Sequence, residues 1–102
     1  MKPRTPEGQL TFSVRQLLNA AGIWHYKAWQ GMGSAPGTSD IIGCLKGGRF
    51  FALELKAPKG IVSPAQQVFL DRVNEAGGLG LVVRSLDEVI EGIGLQDRFL
   101  IR

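Results

Sequence analysis

The sequence predicts an α/β domain in which a helix, three strands, a second helix, a fourth strand and a third helix follow one another. Three observations indicate this order. Apolar residues recur at helical spacing near the start of the chain. Two short apolar runs flank a glycine turn at Lys46-Gly47-Gly48, as in a hairpin. Residues typical of helix N-termini begin at Ser63 and at Ser85, on either side of another apolar run.

Composition limits the class of protein. A chain of 102 residues has room for one modest core, so we expect residues 1–102 to form a single domain. No apolar run approaches the roughly 18 residues that span a bilayer, and no charged-then-apolar leader opens the chain. We therefore expect a cytoplasmic protein without a membrane partner. The net charge of +3 favours a polyanionic partner only mildly. The single cysteine, Cys44, is expected to be a buried small apolar residue.

The first helix is predicted to begin at Thr5 as N-cap, with Pro6 at its first position. The apolar stripe that follows consists of Leu10, Val14, Leu17, Leu18 and Ala21, and Gly22 ends it. Glu7 lies in the first turn on the same face as this stripe. It fits two interpretations equally well, a residue that stabilises the helix dipole or a residue of a functional site.

Residues 23–29 are rich in aromatic side chains and predict a strand. The lone His25 is expected to be structural or at the surface. Trp24 and Trp29 are expected to pack in the core or in an interface rather than to stack on bases. Residues 30–39 form a turn-rich stretch that leads directly into Asp40. A lip facing a substrate and an ordinary long connection are both compatible with it.

Residues 40–45 and 49–56 predict the two strands of the hairpin. In the second strand Glu54 and Lys56 share a face by simple alternation. A two-residue Gly47-Gly48 turn would set Asp40 opposite Leu55, on the other face. A three-residue loop, or a bulge of the same phase, would set it opposite Glu54. A joint site for the two acids therefore requires the longer loop.

The second half begins with Ser63-Pro64-Ala65-Gln66, a capping box that opens the second helix. Gln66 lies on the inward stripe, and either capping or a site role suits it. Residues 79–84 predict a short buried strand, and a second capping box at residues 85–88 opens a helix through about Leu95. Residues 96–102 are expected to form an extra edge strand or part of a subunit interface.

Four motifs in order carry a family resemblance: Glu7 in the first helix, G-T-S-D ending at Asp40, A-L-E-L-K-A-P and S-P-A-Q. This set resembles the virus-type replication-repair nuclease (VRR-NUC) branch of the PD-(D/E)xK nuclease superfamily, over nearly the whole chain. A departure is Ser39, where the superfamily name has proline. The resemblance implies a small restriction-endonuclease-like core, with a mixed sheet flanked by helices.

The resemblance also implies a site. Asp40, Glu54 and the backbone carbonyl of Leu55 would bind Mg²⁺ or Mn²⁺, and Glu7 would complete the site directly or through water. Lys56 would orient or help deprotonate the attacking water. Gln66 would steady Lys56 or that water. The reaction implied is the hydrolysis of a phosphodiester, leaving a 5′-phosphate and a 3′-hydroxyl.

The expected partner is DNA, in particular branched DNA such as a four-way (Holliday) junction cut by a homodimer. The alternatives are a nickase, a flap or end-directed nuclease, or a non-catalytic DNA-binding or assembly module. Basic side chains expected along the DNA path are Lys2, Arg4, Lys27, Lys46, Arg49 and Lys59.

Overall fold

A computed structural model describes residues 5–95, and the order of their helices and strands is the predicted one. The elements are α1 Pro6–Ala20, β1 Trp24–Lys27, β2 Ile41–Cys44, β3 Phe50–Leu55, α2 Pro64–Glu75, β4 Leu79–Val83 and α3 Leu86–Ile93. The edge strand or interface expected at residues 96–102 lies outside the described range, as do the basic residues Lys2 and Arg4.

The start of α1 follows the predicted chemistry. Thr5 has extended backbone angles, and its hydroxyl accepts a hydrogen bond from the Gly8 N–H at 3.0 Å. Pro6 takes the first helical position, where no N–H is needed. The cap fixes where the helix begins and therefore the direction in which Glu7 projects.

The sheet has the order β1-β2-β3-β4. The first two pairings are antiparallel, and β3 pairs with β4 in parallel. The mixed sheet is therefore confirmed. The β2–β3 register places Ile41 opposite Leu53, so the hairpin closes through a three-residue loop. The Leu45 N–H donates to the Arg49 carbonyl at 2.7 Å at the base of that loop.

Helix α2 provides the crossover between the parallel strands, as parallel pairing requires. Its capping box is confirmed: the Ser63 hydroxyl accepts from the Gln66 N–H at 3.1 Å, and the Gln66 side chain accepts from the Ser63 N–H at 2.8 Å. The second box is only half formed. Ser85 caps α3, but the Glu88 carboxylate accepts from the Arg84 N–H, one residue before the cap.

The sheet has two covered faces. On one, Phe51, Leu53 and Leu55 pack with the buried residues of α1 and α3. On the other, Ile42 and Ala52 pack against Leu70 of α2. The predicted alternation of β3 is therefore confirmed. Among the described helices, none has the length and apolarity to cross a membrane.

The aromatic strand differs from its prediction. Trp24 and Trp29 are 65% and 71% exposed, so packing in the core was the wrong expectation. The cause is position, since β1 is the edge strand and the side chains of Trp24 and Tyr26 extend beyond the cover that α2 gives to β3 and β4. Cys44, which was expected to be buried, is only half-buried at the end of β2.

Candidate functional site

Asp40 and Glu54 meet because of the hairpin register. Ile41 pairs with Leu53, so the next positions outward, Asp40 and Glu54, lie opposite each other on one face. The Asp40 carboxylate accepts a hydrogen bond from the Leu55 N–H at 2.7 Å. With this bond a side chain extends the hydrogen bonding between β2 and β3 past the last backbone pair. It also fixes the carboxylate at the end of β3.

Glu7 joins these two acids from the first turn of α1. One carboxylate oxygen from each of Glu7, Asp40 and Glu54 lies within 4.8 Å of the others. Of the two interpretations of Glu7, the structure favours proximity to the site, although a first-turn glutamate also stabilises the helix dipole. Three carboxylates this close repel one another unless a proton or a cation lies between them.

Glu54 has two chemically different oxygens. The Lys56 ammonium lies 3.6 Å from Oε2, and the Gln66 side-chain amide donates to the same oxygen at 3.1 Å. Within the described residues, Oε1 is buried and has no hydrogen-bond partner. A buried acceptor left without a partner is costly and calls for an explanation.

The electrostatics of Glu54 follow from this position. Its side chain is 1% exposed, and burial together with the negative charge of Asp40 raises its pKa from 4.5 to about 8. The Lys56 ammonium lowers that pKa but does not offset burial. Without a cation, Glu54 therefore carries a proton at neutral pH, and a divalent ion bound there would replace it.

Gln66 serves two purposes at once. Its carbonyl oxygen completes the capping box of α2, and its amide nitrogen reaches Glu54. The cap is therefore confirmed, and a role in the site stays a prediction, which the contact with Glu54 supports. The Gln66 amide contacts Glu54 rather than Lys56, and its expected role towards the attacking water stays a prediction. The capping geometry leaves the amide nitrogen pointing towards the end of β3.

The three acids lie in a cleft of about 530 Å³, with Gln66 and much of the 30–39 stretch in its wall. That stretch therefore forms a lip of the cleft, and its expected contact with a substrate stays a prediction. Gly37 explains how the lip approaches α2. It has φ +73°, and a Cβ there would collide with the Ala65 backbone.

Two residues of the site were not predicted from the sequence. The Gln30 amide donates to Asp40 Oδ1 at 3.1 Å and to the Thr38 carbonyl at 2.8 Å. The Arg84 guanidinium donates to the Ala57 and Gly60 carbonyls at 2.8 and 2.9 Å, and so fixes the loop that follows Lys56. Neither has a sequence signal, because each depends on a loop returning to the sheet.

The donor set suits a divalent cation such as Mg²⁺ or Mn²⁺. Hard cations prefer oxygen ligands, and every acid in the cluster supplies carboxylate oxygen. Among the oxygens of these three acids in the described chain, Glu54 Oε1 is buried and lacks a hydrogen-bond partner. In an extended strand the N–H and C=O of one residue point to the same side, so the Leu55 carbonyl faces the Asp40 side.

The basic side chains expected along a DNA path differ in their contacts with the rest of the chain. Arg49 donates to the carbonyls of Gly77 and Gly78, each at 3.2 Å, so its guanidinium ties the hairpin to the end of α2. Lys27, Lys46 and Lys59 are exposed. They remain available to a polyanion.

Comparison with known proteins agrees with this fold. The family model described as "VRR-NUC domain" matches residues 3–87. A solved structure described as "VRR_NUC domain" covers 91% of this chain and 99% of its own, with a TM-score of 0.74 and 23% identity. At that identity the likeness concerns the fold alone. No curated protein shows a significant sequence match.

Proposed function

The chain belongs to the VRR-NUC family of nuclease domains, and on that premise we propose that it is a divalent-metal-dependent endonuclease that hydrolyses DNA phosphodiester bonds. We take residues 1–102 as one such domain. The observation that carries the proposal is the partnerless buried Glu54 Oε1, beside two further carboxylates within 4.8 Å. A structural acid would be expected to have both oxygens satisfied.

Asp40 and Glu54 are the proposed ligands of Mg²⁺ or Mn²⁺, with the Leu55 carbonyl as a third and Glu7 acting directly or through water. When bound, such an ion polarises a phosphate oxygen and lowers the pKa of a coordinated water. The Leu55 N–H holds the Asp40 carboxylate, so that the remaining lone pairs of the carboxylate are oriented before a cation binds. Gln30 holds its other oxygen.

Lys56 and Gln66 act on the other side of Glu54. Lys56 is 13% exposed, and its ammonium lies 3.6 Å from Glu54 Oε2. In this position it would offset negative charge on a phosphate and orient or help deprotonate the attacking water. Gln66 keeps Glu54 Oε2 occupied and leaves Oε1 for the ion. The products would be a 5′-phosphate and a 3′-hydroxyl.

Branched DNA cut by a homodimer is the finer part of the proposal. The three described helices each pack one face on the sheet or on another helix, and we assign none of them to reading base edges in a major groove. Recognition then rests on backbone contacts and DNA shape. Cutting a four-way junction symmetrically needs two sites, which a two-fold homodimer provides.

The test is a cleavage panel of four-way junction, flap, nicked duplex and continuous duplex, with Mg²⁺ or Mn²⁺ and with EDTA. We expect the wild type to cut branched DNA only with metal, and Lys56→Ala to lose roughly 10²-fold or more. Asp40→Asn serves as a ligand variant, and sedimentation gives the species in solution. Cleavage that survives in EDTA, or in Asp40→Asn, would refute the site assignment.

The panel also separates the alternatives. A flap or end-directed nuclease would leave the junction intact, and a nickase would cut one strand. A non-catalytic module would bind DNA without cutting it under any metal. A protein that cuts junctions as a monomer would contradict the dimer and leave the metal site standing.

A further inference from the structure

Trp29 is an exposed aromatic residue that the chain holds in one orientation. Its indole N–H donates to the Met32 carbonyl at 2.9 Å. A Cβ at Gly31 would collide with the indole ring, so the ring lies directly against the Gly31 backbone. Despite these constraints the side chain is 71% exposed. One side of the ring is packed, and the rest faces solvent.

The fixed indole stands at the lip of the acidic cleft. Gly31, on which it packs, lines that cleft. Gln30, which follows Trp29 in the chain, donates a hydrogen bond to the Asp40 carboxylate. The depression that contains Trp29 shares Ser34 and Thr38 with the cleft wall. A group resting on the indole would therefore lie beside the wall of the cleft that holds the carboxylates.

From this arrangement we propose that Trp29 is a stacking platform for a nucleobase whose own stacking partner is missing, next to the phosphate to be cut. The proposal rests on the proposed nuclease function and specifies its substrate class. A base inside a continuous duplex has neighbours on both faces and cannot reach an indole. A base at a branch point, a flap or a single strand has a free face.

Stacking of a base with a free face on a fixed indole is energetically favourable for two reasons. Stacking between a base and an aromatic side chain contributes about 1–3 kcal/mol, with little dependence on sequence. A pre-positioned ring loses little conformational entropy on binding. The platform would thus favour interrupted base stacking over any particular base, which agrees with recognition by shape.

Trp24 provides a matched control within the same chain. It is 65% exposed, close to the value for Trp29, and it contacts Tyr26 at 5.6 Å between ring centroids. It pairs with Cys44 at the far end of β1, whereas the Ala28 N–H bonds the Asp40 carbonyl. Ala28 follows Trp24 by four positions, about 13 Å along an extended strand.

Fluorescence tests the inference without requiring cleavage, because the chain has two tryptophans. Trp24→Phe leaves Trp29 as the reporter, and Trp29→Phe leaves Trp24. In EDTA, we expect single-stranded and flap oligonucleotides to quench Trp29 saturably, and continuous duplex to leave it unchanged. Trp24 fluorescence should not respond to any of them. Equal quenching of both residues, or none at Trp29, would overturn the proposal.

Cleavage supplies the second readout. With Mg²⁺, Trp29→Ala should slow the cutting of branched DNA roughly 5- to 150-fold, while Trp29→Phe retains most of the rate and Trp24→Ala all of it. Thermal melting confirms that the variants are folded. If Trp29→Ala cuts as fast as wild type, the platform is wrong and the nuclease stands. If the wild type binds with quenching of Trp29 but never cuts, the platform stands and the nuclease is wrong.

Sedimentation checks the competing partner, a second copy of the chain. Interfaces between proteins are enriched in tryptophan and tyrosine, so a second copy of the chain is a partner that the experiment must distinguish from DNA. If Trp29→Ala dissociates a wild-type dimer, and no oligonucleotide quenches Trp29, the surface belongs to that dimer and the proposal fails. A variant with unchanged sedimentation and lost quenching supports it.

Discussion

The two faces of strand β3 differ although their residues alternate along the same six positions. One face presents Phe51, Leu53 and Leu55, all fully buried under α1 and α3. The other runs from Phe50, 43% exposed, through Ala52 to buried Glu54. The first face is uniformly apolar and contributes stability. The second changes from apolar to ionisable along its length, which is the pattern expected when a strand also carries a functional site.

Burial alone therefore does not identify a core residue. Glu54 is as inaccessible as Leu53, but burial favours Leu53 by removing apolar surface from water and penalises the charge of Glu54. The apolar face should therefore control stability, and the acidic end should control activity. Substitutions on either face test this division of roles.

The largest expected effect is on activity. Glu54→Gln keeps the shape and the Oε2-side contacts but removes the negative charge that would bind a cation. We expect cleavage to fall by roughly 10³-fold or more, since several kcal/mol of transition-state stabilisation depend on the metal. Stability at neutral pH should be equal or higher. Mg²⁺-dependent cleavage and urea denaturation, measured on one preparation, give both quantities.

The reciprocal change is Leu53→Ala on the apolar face. Deleting a fully buried leucine side chain should cost about 2–5 kcal/mol of unfolding free energy. Cleavage per folded molecule should stay near the wild-type rate, because the variant leaves the carboxylates in place. The measurement is denaturant unfolding together with a rate normalised to active protein. If both changes reduced activity equally at full folding, the two faces would not be separable.

The raised pKa of Glu54 gives a dependence on pH. Its pKa is 4.5 in its ordinary state and about 8 when folded, so between these values the folded chain binds more protons than the unfolded one. Stability from this group is complete below about pH 4.5 and is lost as pH rises towards 8, by at most about 1.4 kcal/mol per pH unit. Denaturation in EDTA from pH 5 to 8.5 measures it.

Glu54→Gln is the control for that pH series, since it removes the titrating group and keeps every other carboxylate. Its stability should depend less steeply on pH than that of the wild type. Parallel curves for the two proteins would show that Glu54 does not titrate in this window. Adding Mg²⁺ should stabilise the wild type most at high pH, because a cation and a proton compete for the same oxygens.

Much of this fold followed from local chemistry. The Thr5 cap, the Ser63 capping box and the alternation that pairs Glu54 with Lys56 depend on neighbouring residues, and sequence spacing expresses them directly. The position of Asp40 did not follow so simply. Two loop lengths fit the Lys46-Gly47-Gly48 turn, and only the three-residue one sets the acids on one face.

What could not be predicted depends on contacts between distant segments. Gln30 reaches Asp40 only because the 30–39 stretch folds back over the sheet, and no periodicity encodes that return. Trp29 was expected to pack in the core or in an interface, and its 71% exposure contradicts the core. Its exposure follows from its place beyond the end of an edge strand, a property of strand order rather than composition.

The smallest effect we predict separates the two tasks of Gln66. Gln66→Ala removes both a helix cap and the amide that holds Glu54 Oε2. We expect a loss of about 1 kcal/mol in stability from the cap and roughly 10- to 100-fold in cleavage from the misdirected carboxylate. Thermal or urea denaturation measures the first, and Mg²⁺-dependent cleavage the second.

Ser63→Ala is the matched control, because it removes the hydroxyl half of the same box and leaves the Gln66 amide free to reach Glu54. It should lose similar stability, about 1 kcal/mol, and keep its cleavage rate. Equal losses of activity in both variants would mean that the position of α2, rather than the Gln66 amide, sets the geometry of Glu54. Activity lost only in Gln66→Ala would establish that one side chain links the helix cap to the site.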